Sequence, residues 1–265
     1  DPVADINENG MATLTGTISD PGTLDTFTLL VDWGDPRSPD NVATHIYQPS
    51  ATAAQAFILT HHYLDDNPST TDRDIYTISA TVTDDDTLSG SAHTTVLVND
   101  VAPVLVLDPV AGINEDGTAT LAGTIADPGT LDTFTLMVDW GDALSPDNTT
   151  THTYEASATG TQAFTLTHHY LDDNPTATDG DSYTISATVT DDDTLSGSAH
   201  TTVNITNVVP ILILDTVAGI NEDGTATLTG TISDPGTLDT FTLMVDWGDA
   251  LSPDNTTTHT YPASA

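Results

Sequence analysis

An all-β fold, built as tandem seven-stranded β-sandwiches joined by short linkers, is predicted from three features of the sequence. The stretch Phe27-Thr28-Leu29-Leu30-Val31-Asp32-Trp33-Gly34-Asp35 returns at 134–142 and 241–249, so Trp33, Trp140 and Trp247 stand 107 residues apart (140 − 33 and 247 − 140). Apolar residues alternate with polar ones along segment after segment, and no helical period of any length occurs. Turn signals recur roughly every 8–12 residues, as a sandwich requires. At this period the 265 residues hold units 1–107 and 108–214 and, in 215–265, the first half of a third. A unit of this length can bury its own core.

The elements follow in order within 108–214. Residues 104–107, after Pro103, read as the first strand, and Asn114-Glu115-Asp116-Gly117 as a turn. Over 118–125, Ala119, Leu121, Gly123 and Ile125 face inward and Thr118, Thr120, Ala122 and Thr124 outward. The loop Asp127-Pro128-Gly129-Thr130-Leu131-Asp132 leads into the Trp140 strand, which carries the heaviest core residue of the unit and is expected to be central in its sheet. That strand stops at Gly141-Asp142, where a polar loop to Asn148 begins. A short strand follows at 151–154. Along 163–171, Phe164, Leu166, His168 and Tyr170 share one face and His169 takes the other. The loop 172–181 contains the turn dipeptides Asn174-Pro175 and Asp179-Gly180. Tyr183, Ile185, Ala187 and Val189 then alternate with Ser and Thr, Asp191-Asp192-Asp193 opens a loop, and Ala199, Thr201, Val203 and Ile205 mark the last strand. The Thr-rich outer faces suit solvent-exposed β surface.

Composition narrows the classes of function. The formal charge is −38, and Arg37 and Arg73 are the only Lys or Arg residues. Phosphate binding needs cationic side chains, so nucleic acid is not an expected partner, and neither is an anionic membrane surface. Self-repulsion of this size must be screened by salt, as in halophilic adaptation, or offset by bound cations. There is no cysteine, so disulfides play no part in stability. No signal peptide or transmembrane run is present, and the longest apolar runs are strand-sized. The cut-off third unit reads as an interior piece of a longer secreted chain.

Val-Asp-Trp-Gly-Asp at 31–35 and 138–142, His-x-Tyr at 45–47 and 152–154, and Tyr-Thr-Ile-Ser-Ala-Thr-Val-Thr-Asp-Asp-Asp at 76–86 and 183–193 resemble the polycystic-kidney-disease-type (PKD) domain. The resemblance covers each full unit from the Trp strand to the last strand. It implies an Ig-like sandwich of a kind found in tandem in surface proteins and beside secreted hydrolases. Trp140 stands where that family often has Phe, and Ala143 (Pro36 in the first unit) replaces its glycine after Gly-Asp. The linkers 99–103 and 207–210 are similar to junctions in cadherin-like bacterial adhesins.

No residue set points to catalysis. The chain has no Cys or Lys, no Gly-x-Ser-x-Gly and no His-Glu-x-x-His. Adjacent strand residues face opposite ways, so His168 and His169 cannot readily clamp one metal, and His168 reads as a satisfied, partly buried structural histidine. Carboxylate pairs abound, yet each repeats at 107 residues, whereas an enzyme rarely needs its active site in series. The chain is therefore not expected to be an enzyme. Three Asn-x-Thr matches, at Asn148, Asn204 and Asn255, arise readily by chance in a Thr-rich chain and carry no expectation of glycosylation.

Calcium fits the acids better. It takes six to eight hard oxygen ligands, and the loops supply carboxylates in clusters. In an Ig-like sandwich alternate strands run up and down, so loops gather at two poles. Asp127, Asp132 and Asp191, Asp192 and Asp193 fall at the pole where the chain enters the second unit. Glu115, Asp116, Asp142, Asp172 and Asp173 fall at its exit pole. The exit pole of the first unit offers Glu8, Asp35, Asp65 and Asp66, and the linkers offer Asn99, Asp100 and Asn207. Taken singly, any of these acids is a turn former or a solubilising charge. Taken together they predict calcium at each junction, with the units end to end as a rod. The expected role is a calcium-stiffened stalk or fibre-forming segment of an extracellular surface protein or adhesin, its partners the neighbouring repeats of the same chain and, in fibres, other copies. Two alternatives stand beside it: a carbohydrate- or protein-binding accessory module of a secreted hydrolase, and a subunit of a self-assembled filament or surface layer.

Overall fold

The computed structural model describes residues 1–52, 54–66, 69–173, 176 and 178–263. The turn dipeptide Asn174-Pro175 lies outside them. The described residues contain strands and turns but no helix, and so no helix long and apolar enough to cross a membrane. The first part of the chain carries β1 (Ile6–Asn7), β2 (Gly10–Ser19), β3 (Phe27–Asp32), β4 (Val42–Tyr47), β5 (Ala54–Tyr63), β6 (Arg73–Asp84) and β7 (Ser89–Asn99). The second carries β8 (Val104–Leu107), β9 (Ile113–Asn114), β10 (Gly117–Ala126), β11 (Phe134–Asp139), β12 (Thr149–Tyr154), β13 (Thr161–Tyr170), β14 (Gly180–Thr190) and β15 (Ser196–Thr206). The last holds β16 (Ile211–Leu214), β17 (Gly230–Ser233), β18 (Phe241–Asp246) and β19 (Thr256–Tyr261).

Each of the first two parts is an Ig-like sandwich. In the second, a five-stranded sheet of order β12-β11-β14-β15-β9 faces a three-stranded sheet of order β13-β10-β8. In the first, β1-β7-β6-β3-β4 faces β2-β5. Neighbours are antiparallel except at β1 with β7 and β9 with β15. The Trp strands β3 and β11 are interior to their sheets, as their apolar load predicts.

The alternation read from sequence is the alternation of burial. Phe134, Leu136 and Val138 are buried on β11 with exposed residues between them. Trp140, wholly buried, fills the same core as Leu121, Ile125, Ile185, Val189, Val203 and Ile205. A separate core packs Leu14, Leu29, Val31, Trp33, Ile78, Val96 and Val98 in the first sandwich. Burial of each large side chain contributes about 1.5–3 kcal/mol, so each sandwich has its own source of stability. The Trp strands stop where Gly34 and Gly141 take φ of 75° and 74°, and a Cβ there would run into the carbonyls of Thr77 and Thr184.

One strand departs from the sequence reading. Residues 114–117 form the expected turn, but Ile113–Asn114 first pairs in parallel with Ile205 and Thr206, giving the second sandwich an eighth strand. The chain leaves the sheet of β8 and crosses to the opposite sheet, where Ile113 packs against the core. Asn9 and Asp116 then adopt left-handed φ of 53° and 55°, a conformation short polar side chains tolerate.

The strands after Pro210 differ in coverage. Phe241, Leu243 and Val245 are only half-buried where their counterparts on β11 are buried, and Trp247 is 39% exposed against 0% for Trp140. β16 pairs with β17 and β18 with β19, and the two pairs line one open cleft with Leu212, Ile232, Leu243 and Trp247; a fragment starting at 215 leaves out β16 and keeps only the β18–β19 pair. Isolated hairpins are marginal in water. A fragment of residues 215–263 is therefore expected not to fold as a monomer, and sharp, dispersed amide resonances from it at low concentration would contradict this.

Candidate metal centre

The turn before β2 sets the first carboxylate. Glu8 follows β1, its amide donates to the Asn99 carbonyl at 2.8 Å, and its Oε1 accepts the Val101 amide at 2.9 Å. One side chain thus ties the exit pole to the linker. Asp65 and Asp66 follow β5, and Asp100 follows β7 with its amide on the Asp72 carbonyl at 3.2 Å. From the next sandwich, the loop after β10 brings Asp127 and Asp132, and the β14–β15 turn brings Asp191, Asp192 and Asp193. The two poles meet, and the Thr130 amide crosses the junction to the Leu64 carbonyl at 3.3 Å.

Three groups of carboxylates converge there, each with its oxygens within 4.8 Å: Glu8 with Asp66 and Asp100, Glu8 with Asp127 and Asp132, and Asp65 with Asp132 and Asp193. Glu8 belongs to two groups and so does Asp132, so the groups form one row. All seven residues are buried. Glu8 Oε2, Asp127 Oδ2, Asp193 Oδ1 and both carboxylate oxygens of Asp66, Asp100 and Asp132 have no hydrogen-bond partner among the described residues. Asp191, also buried, has a free Oδ2. Arg37 and Arg73 are exposed, and Arg73 sits 4.0 Å from Asp72.

Withdrawal from water, then repulsion among these neighbours, holds the carboxyls far above the usual range. Glu8 is pushed up to about 9 by burial and then Asp127, Asp66 to about 9 by burial and then Asp193, and Asp132 to about 10 by burial and then Glu8. Asp191 rises to about 7 and Asp193 to about 6, again chiefly by burial. Asp100 and Asp127 are raised for the same reason, burial outweighing the backbone amides that favour their charged forms. Anions so crowded must take up protons or share a cation. Only oxygen ligands are present, which suits a hard divalent ion.

The second junction repeats the design one period on. Glu115, Asp172, Asp173 and Asp239 bring carboxylate oxygens within 4.8 Å of one another. Glu115 Oε1 accepts the Val208 amide at 2.6 Å, and the Thr237 amide reaches the Leu171 carbonyl at 3.4 Å. Glu115 is pushed up to about 7 and Asp173 to about 6, burial being the main cause in each. A Cβ at Gly129 would run into Glu8 Oε2 and Asp132 Oδ2, and one at Gly236 into Glu115 Oε2 and Asp239 Oδ2. Glycine at this point of the Asp-Pro-Gly-Thr-Leu-Asp loop is what lets carboxylates from two sandwiches approach.

Other acids singled out from sequence lie elsewhere. Asp35 and Asp142 are buried, but their Oδ2 atoms hydrogen-bond to Nε2 of His61 and His168 at 3.2 and 3.1 Å. Each histidine is buried and stacks on its tryptophan, with ring centroids 5.1 and 5.2 Å apart. Asn99 donates from Nδ2 to the Ile6 carbonyl at 2.9 Å, and Asp192 accepts the Thr133 amide at 2.8 Å. Asp116 is exposed, 3.0 Å from His169 Nε2. Asn207 is exposed. Sequence reasoning passed over Asp234 and Asp239, although the 107-residue period relates them to Asp127 and Asp132.

It also missed Leu131. This side chain shares a small cleft with Asp35, Arg37, Ser38, Leu64, Asp65 and Tyr76 of the preceding sandwich. Leu238 sits likewise against Asp142, Leu144, Leu171 and Tyr183. Leu24, at the same place in the first sandwich, has no such seat among the described residues and is 82% exposed. Leu131→Ala is expected to weaken docking at the first junction by about 1 kcal/mol and leave each sandwich folded, whereas Leu24→Ala changes neither. Interdomain distances from paired spin labels, with melting curves alongside, check this.

No protein-family model matches the chain, and no curated protein matches it. Among solved structures, a tetra-tandem repeat in the extending region of a large adhesion protein is 16% identical, covering 99% of this chain and 63% of that one, with TM-score 0.40. Dpr11 IG1 bound to DIP-gamma is 10% identical over 78% of this chain and 96% of that one, with TM-score 0.36. The calcium binding domain CBD12 of CALX1.1 is 8% identical over 70% and 75%, with TM-score 0.28. The chain spans 30% of red sea bream transglutaminase, at 12% identity, 74% coverage of this chain and TM-score 0.28.

Proposed function

We propose that this chain is a spacer: PKD-type units at 1–107 and 108–214, with the opening half of another at 215–265, which become a stiff rod when calcium fills the junctions. It works outside the cell, as a stalk or fibre segment of a surface protein or adhesin, through spacing and mechanical continuity rather than catalysis. The observation that carries this reading is the row of buried carboxylates contributed jointly by two sandwiches and their linker, in which both oxygens of Asp66, Asp100 and Asp132 have no hydrogen-bond partner among the described residues. Left charged and bare, they would push the sandwiches apart; calcium, taking six to eight oxygens at 2.3–2.6 Å, would pull them together. Each sandwich should fold without metal, because its apolar core is complete. The accessory-module alternative finds less support, since Trp33 and Trp140 are buried and offer no aromatic platform.

The chain has no cysteine, so Thr13→Cys with Thr120→Cys would place one spin label on each of the first two sandwiches. Calcium is expected to narrow the distance distribution between them, and chelator to broaden it again. Asp132→Asn, which alters two of the three groups, should raise the calcium needed by tenfold or more while leaving the melting of each sandwich unchanged. Equal narrowing by sodium chloride at matched ionic strength would instead return the acids to turn formation and screened charge.

Protonation gives a second test. The docked carboxyls carry pKa values above those of the undocked groups, so without calcium docking is favoured at low pH. That advantage is lost as pH rises from the ordinary carboxylate range through about 9, the value for Glu8 and Asp66. In the docked junction without calcium, burial favours the protonated forms of Glu8, Asp66 and Asp132, so calcium must displace protons there. Calorimetry in buffers of different ionisation enthalpy should show proton release on binding, and apparent affinity should fall as pH is lowered.

A further inference from the structure

The two junctions differ at one linker position. Asp100 and Asn207 stand one period apart, and the backbone holds them alike: the Asp100 amide donates to the Asp72 carbonyl at 3.2 Å, and the Asn207 amide to the Asp179 carbonyl at 3.3 Å. The next amide in each linker, Val101 or Val208, donates to the glutamate of its own junction. The side chain differs, Asp at the first junction and Asn at the second. Asp100 is buried, neither of its oxygens has a hydrogen-bond partner among the described residues, and one of them lies within 4.8 Å of an oxygen of Glu8 and of Asp66. Asn207 carries no charge and is exposed.

Glu8, Asp66 and Asp100 all belong to the first unit and the linker after it. Their counterparts, Glu115, Asp173 and Asn207, lie within the sequence in the same way. The comparison therefore rests on the charge at this one linker position, Asp against Asn.

We propose that the junctions fill in sequence: the first binds calcium at lower concentration, and the second, one anionic ligand short, stiffens last and serves as the hinge at intermediate calcium. This rests on the calcium reading above. Affinity in oxygen-ligand sites follows the count of charged ligands, so a midpoint separation on the order of tenfold or more is expected for one missing carboxylate.

The test is a calcium titration of the whole chain followed by amide resonances, with Val101 and Val208 as one reporter for each junction. The Val101 signal is expected to move at about tenfold lower calcium than Val208. Asn207→Asp should bring the Val208 midpoint down towards that of Val101, and Asp100→Asn should raise the Val101 midpoint. Coincident midpoints in the parent chain, or a Val208 midpoint unmoved by Asn207→Asp, would overturn the ordered filling while leaving calcium binding intact. If neither amide responds to calcium, the calcium reading itself falls.

Discussion

Carboxylates drawn out of water with no countercharge beside them constrain everything at the ends of these sandwiches. In a chain with two basic side chains among 265 residues, burial of Glu8, Asp66 and Asp132 cannot be offset by an Arg or Lys. Moving an unpaired carboxylate into a low-dielectric site costs several kcal/mol even after relaxation. The poles nevertheless bring such groups together twice, at the same period, and keep a glycine in each entry loop so that they can approach. Turn formation alone leaves that arrangement unexplained, since an Asp in a turn gains nothing from being buried beside other anions.

The molecule separates two tasks. Stability within a sandwich comes from apolar faces closing on Trp33 or Trp140. Position between sandwiches depends on the poles, where one leucine, one interdomain backbone hydrogen bond and a set of anions share the contact. The His61–Asp35 and His168–Asp142 pairs stand between the two regions. They cap the Trp strand from inside each sandwich while the neighbouring Leu64 and Leu171 carbonyls receive the next unit.

Much of this was legible in the sequence, for reasons that are local. Period-2 alternation identifies Phe134, Leu136, Val138 and Trp140 as one buried face, because a strand has no other way to place them. Counting strands up and down sorts Glu8, Asp66, Asp100, Asp127 and Asp132 to the ends that meet. What sequence does not carry is the tertiary environment of a single side chain. Two residues at Ile113–Asn114 are too few to show alternation, and their parallel partner lies some 90 residues away in sequence. Leu131 reads as an incidental apolar residue in a polar turn until the neighbouring sandwich supplies its seat. Asp35 resembles Asp65 in composition and pole; a histidine stacked on Trp33 is what sets it apart.

The parallel pairing of β1 with β7 and of β9 with β15 has a mechanical consequence. Both strands of each pair run towards the exit pole, and one lies near the start of its sandwich and the other at its end. Tension on the two chain ends therefore slides the paired strands past each other, loading their hydrogen bonds together in shear. An antiparallel hairpin pulled at its open end would instead unzip one bond at a time. The Glu8 and Glu115 amides, bonded to the carbonyls of Asn99 and Thr206, extend this shear-loaded patch to the glutamates at the two junctions. A force along the chain thus loads hydrogen bonds that lie within a residue of the carboxylates clustered at each junction.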